Sequence, residues 1–210
     1  MKKILIADDH PVFRRGLIQT LTSGTDDILI EEANNGQEVL NLIYRDNFDA
    51  VFLDIAMPGR NGLEILQEVK KIKPTVPVLI LSMYSEDQYA VRAIKAGAAA
   101  YLTKDAEASD FIGALNKILE GKVFFSSSVV QQLLSDYDNK ENKPRHHVLS
   151  VREFQVMNMI AAGKKLKDIA EELSLSLSAI STHRTRILRK MNMKNNAEII
   201  RYALKEGLIE

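Results

Sequence analysis

The chain has 210 residues, 46% of them apolar and 27% charged, the composition of an ordinary globular protein rather than a disordered one. The formal net charge is zero, yet acidic groups outnumber basic ones over 1–135 and basic groups dominate over 145–210, which suggests two domains with different partners. There is no Cys, so disulfides, thiolate metal sites and Cys nucleophiles are excluded, and no apolar run nears the ~20 residues that span a bilayer.

In chain order, KILIAD (3–8), ILIEEA (28–33), AVFLD (50–54), PVLILS (77–82) and AAYLT (99–103) read as strands, nearly all apolar and therefore buried on both faces. The first begins so close to the N-terminus that no leader is expected, and the expected location is cytoplasmic. Helical periodicity falls between them, at 11–23, 36–46, 62–73, 86–96 and 107–120. Alternating strand and helix predicts a doubly wound α/β domain with a five-stranded parallel sheet. KVFFSS and a short Ser-led helix follow, and then DYDNKENKPRHH (136–147), polar and charged with one Pro, reads as a linker. From Leu149 onward the pattern is helical throughout, opened by the capping box Ser150-x-x-Glu153, with helices expected at 151–162, 166–173, 177–191 and 196–206. The expected domains are 1–121, a connecting helix and linker at 122–147, and 148–210.

Four of the five strands end in polar or charged residues: Asp8 with Asp9, Asp54, Ser82 and Lys104. Open α/β sheets bind ligands outside the carboxyl ends of their strands, where the strand order reverses. With the order 2-1-3-4-5, three carboxylates converge on one crevice. They repel one another, and all-oxygen ligation with retained waters suits Mg²⁺. A Lys and a hydroxyl at the same rim suit a phosphoryl group. Taken singly, each residue has an ordinary reading: Asp8 and Asp9 as helix caps, Asp54 as a turn former before Pro58-Gly59, Ser82 as a turn hydroxyl, Lys104 as a solvated charge, Tyr101 as core. Their coincidence at one end of the sheet points to function.

The motifs ILIADDHPVFRRGL, LDIAMPGRNGLEIL, LILSMYS and GAAAYLTKDA resemble the receiver domain of bacterial two-component response regulators, over residues 1–121. The resemblance implies that Asp54 is the phosphoacceptor for a sensor histidine kinase. It implies Mg²⁺ held by Asp9, Asp54 and the Ala56 carbonyl, with Asp8 acting mostly through water. It also implies that Lys104 and Ser82 grip the phosphoryl oxygens, and that Tyr101 changes rotamer as Ser82 moves. Ala56 and Tyr84 occupy positions that tune phosphoryl lifetime in that family, and a long-lived aspartyl phosphate is the expectation here. Asp105 stands where many receivers have Pro, and a cis bond would be costly there.

The segment LSVREFQVMNMIAAGKKLKDIAEELSLSLSAISTHRTRILRKM is similar to the four-helix, helix-turn-helix output domain of the NarL/FixJ (LuxR-type) regulators. The residues agree. In the helix at 177–191, Ile180, Ile187 and Met191 share one face, while Ser178, Thr182, Thr185 and Arg189 lie opposite, flanked by Ser181 and Arg186. Short polar groups for base edges and cations for phosphates are what a recognition helix needs. The resemblance aligns Ser181, Thr182 and Thr185 with groove-reading positions and makes Arg186, Arg189 and Lys190 candidate phosphate contacts. It further implies a homodimer formed on activation, double-stranded promoter DNA as partner and no membrane association. The activity expected is self-directed phosphotransfer only, not turnover of a separate substrate.

Other classes fit less well. A haloacid-dehalogenase phosphatase wants a second Asp two residues after the nucleophile, where this chain has Ala56. A nucleotide-binding domain wants G-x-G-x-x-G or a Walker loop, and neither is present. A constitutive DNA-binding protein with an inert receiver would have no use for the complete acidic set.

Overall fold

The computed structural model describes residues 1–24, 27–84, 86–138 and 144–209. It divides into two compact units, Met1–Ser135 and Asp136–Glu210. Their boundary falls inside the segment expected to connect two domains, and residues 139–143 of the expected linker lie outside the described residues.

The first unit alternates strand and helix: β1 (Lys2–Ala7), α1 (Pro11–Gly24), β2 (Ile28–Ala33), α2 (Gly36–Arg45), β3 (Ala50–Asp54), α3 (Gly62–Ile72), β4 (Val78–Ser82), α4 (Glu86–Lys95), β5 (Ala100–Thr103) and α5 (Ala108–Leu119). The strands form one sheet in the order β2-β1-β3-β4-β5, every pairing parallel. Ile4 to Ala7, Ala50 to Leu53 and Val78 to Leu81 are wholly buried, because helices cover both faces of the central strands. The edge strand β2 instead keeps Leu29 exposed. On one face Ile4, Ile6, Phe52, Leu79, Leu81 and Leu102 pack against Leu17 and Leu21 of α1 and Phe111, Leu115 and Ile118 of α5. By the two-residue period of a strand, Leu5, Val51, Leu53 and Ile80 turn to the other face.

Register positions the site. Ala7 lies opposite Leu53, Asp54 opposite Leu81 and Ser82 opposite Thr103, so the carboxyl ends of four neighbouring strands finish level.

Past α5 the chain lies along the free edge of β5. The Phe124 N–H donates to the Ala99 carbonyl at 2.9 Å, and Phe124 makes an isolated parallel bridge with Ala100. Helix α6 (Ser127–Asp138) follows, reaching into the segment expected to be linker, with Val129 wholly buried. Ser126, which caps its first turn, donates its hydroxyl to the Glu86 carboxylate at the start of α4.

The second unit holds α7 (Val151–Ala161), α8 (Leu166–Glu172), α9 (Leu177–Lys190) and α10 (Asn196–Lys205). Both halves of the capping box form: the Ser150 N–H donates to Glu153 at 2.7 Å and the Glu153 N–H to the Ser150 hydroxyl at 3.3 Å. Phe154, Ile160, Ile169, Leu173, Ile180, Ile187, Met191, Ile199 and Ala203 form the interior. A 3₁₀ turn, Arg145–Val148, precedes α7 and spans the expected end of the linker at 147. It is held by tertiary contacts: His146 stacks on Phe154 with ring centroids 5.3 Å apart and meets the Tyr202 hydroxyl at 2.9 Å. No described helix is long and apolar enough to cross a membrane.

Candidate functional site

Two features of the fold assemble side chains for chemistry or recognition. In the first unit the crevice lies above the ends of β1, β3, β4 and β5. Asp54 ends β3 and Asp8 follows β1; both are buried to 0% exposure. Asp54 Oδ1 accepts the Ala56 N–H at 3.0 Å, and Asp54 Oδ2 lies 2.8 Å from Lys104 Nζ. The same ammonium is 2.7 Å from Asp8 Oδ2 and stands over the Phe13 ring. Lys104 thus bridges the two buried carboxylates. Burial pushes the Asp54 carboxyl above its ordinary range and the Asp8 charge adds to that, against the pull of Lys104. For Lys104, burial works toward deprotonation, but Asp54 and Asp8 outweigh it and hold the ammonium firmly charged.

Local backbone fixes Asp54. The chain leaves β3 through Ile55, Ala56, Met57 and Pro58 and re-enters α3 beneath it, with the Gly62 N–H on the Ile55 carbonyl at 3.0 Å. A Cβ on Gly62 would stand 2.2 Å from the Asp54 carbonyl oxygen, so only glycine lets the helix start this close to the strand end. Buried Asn61 caps α3, accepting the Leu63 N–H at 2.9 Å. On the far side, buried Ser82 accepts the Tyr84 N–H at 2.9 Å, and Tyr101, also buried, donates its hydroxyl to the Tyr84 carbonyl at 2.8 Å. Burial raises the Tyr101 phenol well above its ordinary value, against a hydrogen bond with Ser82 that lowers it, so it is a neutral donor. The Lys104–Asp105 bond is trans.

The expected crevice residues therefore come together. Reading the sequence residue by residue missed two others. Gly62 is one; a glycine opening the helical pattern just past Pro58-Gly59 was the available signal. His10 is the second. Its Nδ1 lies 2.9 Å from Asp9 Oδ1 and 3.3 Å from Asp8 Oδ1, and its position next to Asp8-Asp9 was the available signal. Among the described residues, Asp8, Asp9, His10 and Asp54 each offer a ligand atom within 4.8 Å of the others. A predominantly carboxylate donor set that outnumbers the single buried ammonium fits a divalent cation.

In the second unit, α9 starts from a tight turn. Ser174 adopts a left-handed conformation (φ 51°), and the Leu175 N–H reaches the Ala170 carbonyl at 2.9 Å, which closes α8. Ser176 caps α9, accepting the Ala179 N–H at 3.1 Å. Ile180, Ile187 and Met191 are buried as expected. Ser178, Ser181, Thr182, Thr185, Arg186 and Arg189 line one open surface depression. Thr182 and Thr185 donate their hydroxyls back to the Ser178 and Ser181 carbonyls, each at 2.9 Å, so their free lone pairs and methyl groups face outward. Lys190 is set apart from this group: its Nζ is 2.6 Å from Glu153 of α7. Arg184 is likewise used internally, donating to Asn196 at 2.6 Å and tying α9 to α10.

The family model described as "Response regulator receiver domain" matches residues 4–116, and that described as "Bacterial regulatory proteins, luxR family" matches residues 147–203. The chain is similar along its whole length to the oxygen regulatory protein NreC of Staphylococcus carnosus, at 30% identity over 99% of this chain and 99% of that protein. It is similar also to the response regulator GacA of Pseudomonas aeruginosa, at 30% identity over 100% of this chain and 99% of that protein. Among solved structures, the response regulator ChrA of a heme-sensing two-component system is 30% identical, with a TM-score of 0.51 over 99% of this chain and 98% of that one.

Proposed function

Because this chain belongs to the two-component response regulators, joining a receiver domain to a LuxR-family DNA-binding domain, we propose that Asp54 accepts a phosphoryl group from a sensor histidine kinase and so controls DNA binding by α9. The observation that carries this reading is a wholly buried carboxylate at the end of a central strand, paired to Lys104 at 2.8 Å beside further carboxylates.

In the transfer, an Asp54 carboxylate oxygen attacks the phosphorus of the kinase phosphohistidine. The P–N bond breaks and its electrons return to the imidazole ring. Asp8, Asp9 and Asp54, with the Ala56 carbonyl, would hold Mg²⁺, which when bound supplies neutralisation of charge on the phosphoryl oxygens. Lys104 is already at the acceptor and contacts the transferred group without a large movement. Ser82 donates its hydroxyl proton to a second phosphoryl oxygen, and its oxygen also accepts the Tyr84 N–H. Tyr84 also holds Tyr101 through its carbonyl, so a shift of Ser82 toward the phosphoryl group is passed to Tyr84 and Tyr101 together. The added charge, about −1.5 to −2 if the aspartyl phosphate behaves like other phosphoryl groups, biases that segment between two arrangements. Phosphotransfer is self-directed: Asp54 is acceptor, and hydrolysis restores it.

For the second unit, Ser181, Thr182 and Thr185 read base edges in the major groove while Arg186 and Arg189 hold phosphates. Lys190, tied to Glu153, reaches phosphate only by leaving that pair. The domains are 1–121 for the receiver, 122–147 for the connection and 148–210 for DNA binding. Activation produces a homodimer that reads two half-sites of promoter DNA, and the protein works in the cytoplasm.

The test is intact mass after incubation with acetyl phosphate, followed by DNA-binding anisotropy. One phosphoryl mass should be gained with Mg²⁺, and lost in Asp54→Ala and without Mg²⁺. Phosphorylation should tighten binding to the cognate promoter, and equal affinity in both states would sink the switch.

A further inference from the structure

We propose that His10 is a nitrogen ligand of the crevice and sets its choice among divalent cations, favouring transition-series ions such as Co²⁺ or Ni²⁺ over Mg²⁺ beyond what the carboxylates alone would do. The inference rests on the reading of the crevice as a metal site and adds one residue that the carboxylate set does not include.

The backbone around His10 is fixed on both sides. Its N–H donates to Asp8 Oδ1 at 2.7 Å, and its carbonyl accepts the Arg14 N–H at 3.0 Å in the first turn of α1, where Pro11 sets the entry angle. The side chain is 62% exposed, so it is not a core histidine held by packing. Nevertheless Nδ1 turns inward. It lies 2.9 Å from Asp9 Oδ1, 3.3 Å from Asp8 Oδ1 and 3.4 Å from Lys104 Nζ. A simple surface ion pair needs one carboxylate; this nitrogen stands among several of the groups that would hold the ion.

Chemistry then separates the cations. Mg²⁺ is hard, prefers oxygen and keeps several waters, so an imidazole nitrogen adds little to its binding. Cobalt, nickel and zinc accept imidazole readily, and their affinities rise with nitrogen donors. A single His beside the carboxylates therefore shifts the ratio of affinities while leaving the oxygen ligands intact.

The experiment is calorimetric titration of the full-length protein and of His10→Asn and His10→Ala with Mg²⁺ and Co²⁺. Only Co²⁺ that excess Mg²⁺ displaces is counted, which separates the crevice from His146, His147 and His183. Asn puts an oxygen donor near the lost nitrogen, so it keeps hard-ion binding while removing the selective ligand. By analogy with other metal-site substitutions, both variants should lose about tenfold or more in Co²⁺ affinity while Mg²⁺ affinity changes by less than about threefold. The displaceable Co²⁺ should also show visible absorption bands that shift in the variants. An unchanged Co²⁺ to Mg²⁺ ratio overturns the role of His10 and leaves the receiver reading intact. Absence of Mg²⁺ binding by the unaltered protein overturns the metal site and this inference with it.

Discussion

Asp54 is carried at the cost of stability. Burial raises its carboxyl above the ordinary range, so the fold disfavours the ionised form that phosphoryl transfer requires. The stability linked to this group is fully present below its unfolded pKa of about 3.9 and is lost as pH rises through the folded value. Asp54→Asn should therefore strengthen the first unit at pH 7 by about 0.5–2 kcal/mol, read as slower hydrogen exchange of β3 amides, and the gain should vanish as the pH falls toward the unfolded value. Lys104 is the opposite case. It neutralises two buried carboxylates at 2.7 and 2.8 Å. Lys104→Ala leaves both unpaired and should cost about 3–5 kcal/mol, seen as a lower melting temperature of the first unit. Saturating Mg²⁺, which takes over the neutralisation, should recover part of that loss. No recovery would mean that Lys104 and the ion do not share the same charges.

Elements succeed here where local chemistry and packing agree. Helix α9 has a Ser cap, a buried apolar stripe and an exposed polar face, and sequence and structure coincide there. The turn before it is the weak point. Ser174 is held at φ 51°, a region that favours glycine. Ser174→Gly should relieve that and raise the stability of the second unit by up to about 1 kcal/mol, measured as a higher denaturant midpoint; no gain would mean that the Ser174 side chain offsets the strain. Helix α6, also expected from its Ser-led sequence, draws on the fold as well: its start is secured by Phe124 on the β5 edge and by Ser126 between the helix cap and Glu86.

At the scale of the whole molecule, charge is divided by task. The first unit gathers Asp8, Asp9 and Asp54 at the crevice, and the second presents Arg186 and Arg189 on the open face of α9. Phosphate contacts release counterions, so each one lost lowers the slope of log affinity against log salt by about one. Arg186→Ala and Arg189→Ala should each do this, measured by anisotropy across a salt series. Lys190→Ala should change the slope less and lower stability instead, because it leaves the Glu153 carboxylate, 2.6 Å away, without its cation. Slopes unchanged from the unaltered protein in all three variants would remove α9 from the phosphate-binding surface.

Residues 1–210 declared most of this by themselves. Strands at 28–33 and 50–54 match β2 and β3 residue for residue; for β3 the reason is a near-continuous apolar run bounded by turn residues, which leaves a buried strand little alternative, whereas β2 is a half-exposed edge strand. The acidic crevice was legible because chain order and the parallel rule place strand ends together. Three things needed the tertiary structure. The 3₁₀ turn at Arg145–Val148 lies in a polar segment with no periodicity of its own, and it forms because His146 finds Phe154 and Tyr202. The division of labour along α9 depends on Glu153, thirty-seven positions away, which claims Lys190 and leaves Arg186 and Arg189 free of that pairing. The place of His10 depends on which way one ring nitrogen turns. Periodicity and end signals are local and survive in the sequence, whereas a partner chosen across the fold is decided only when the elements have packed.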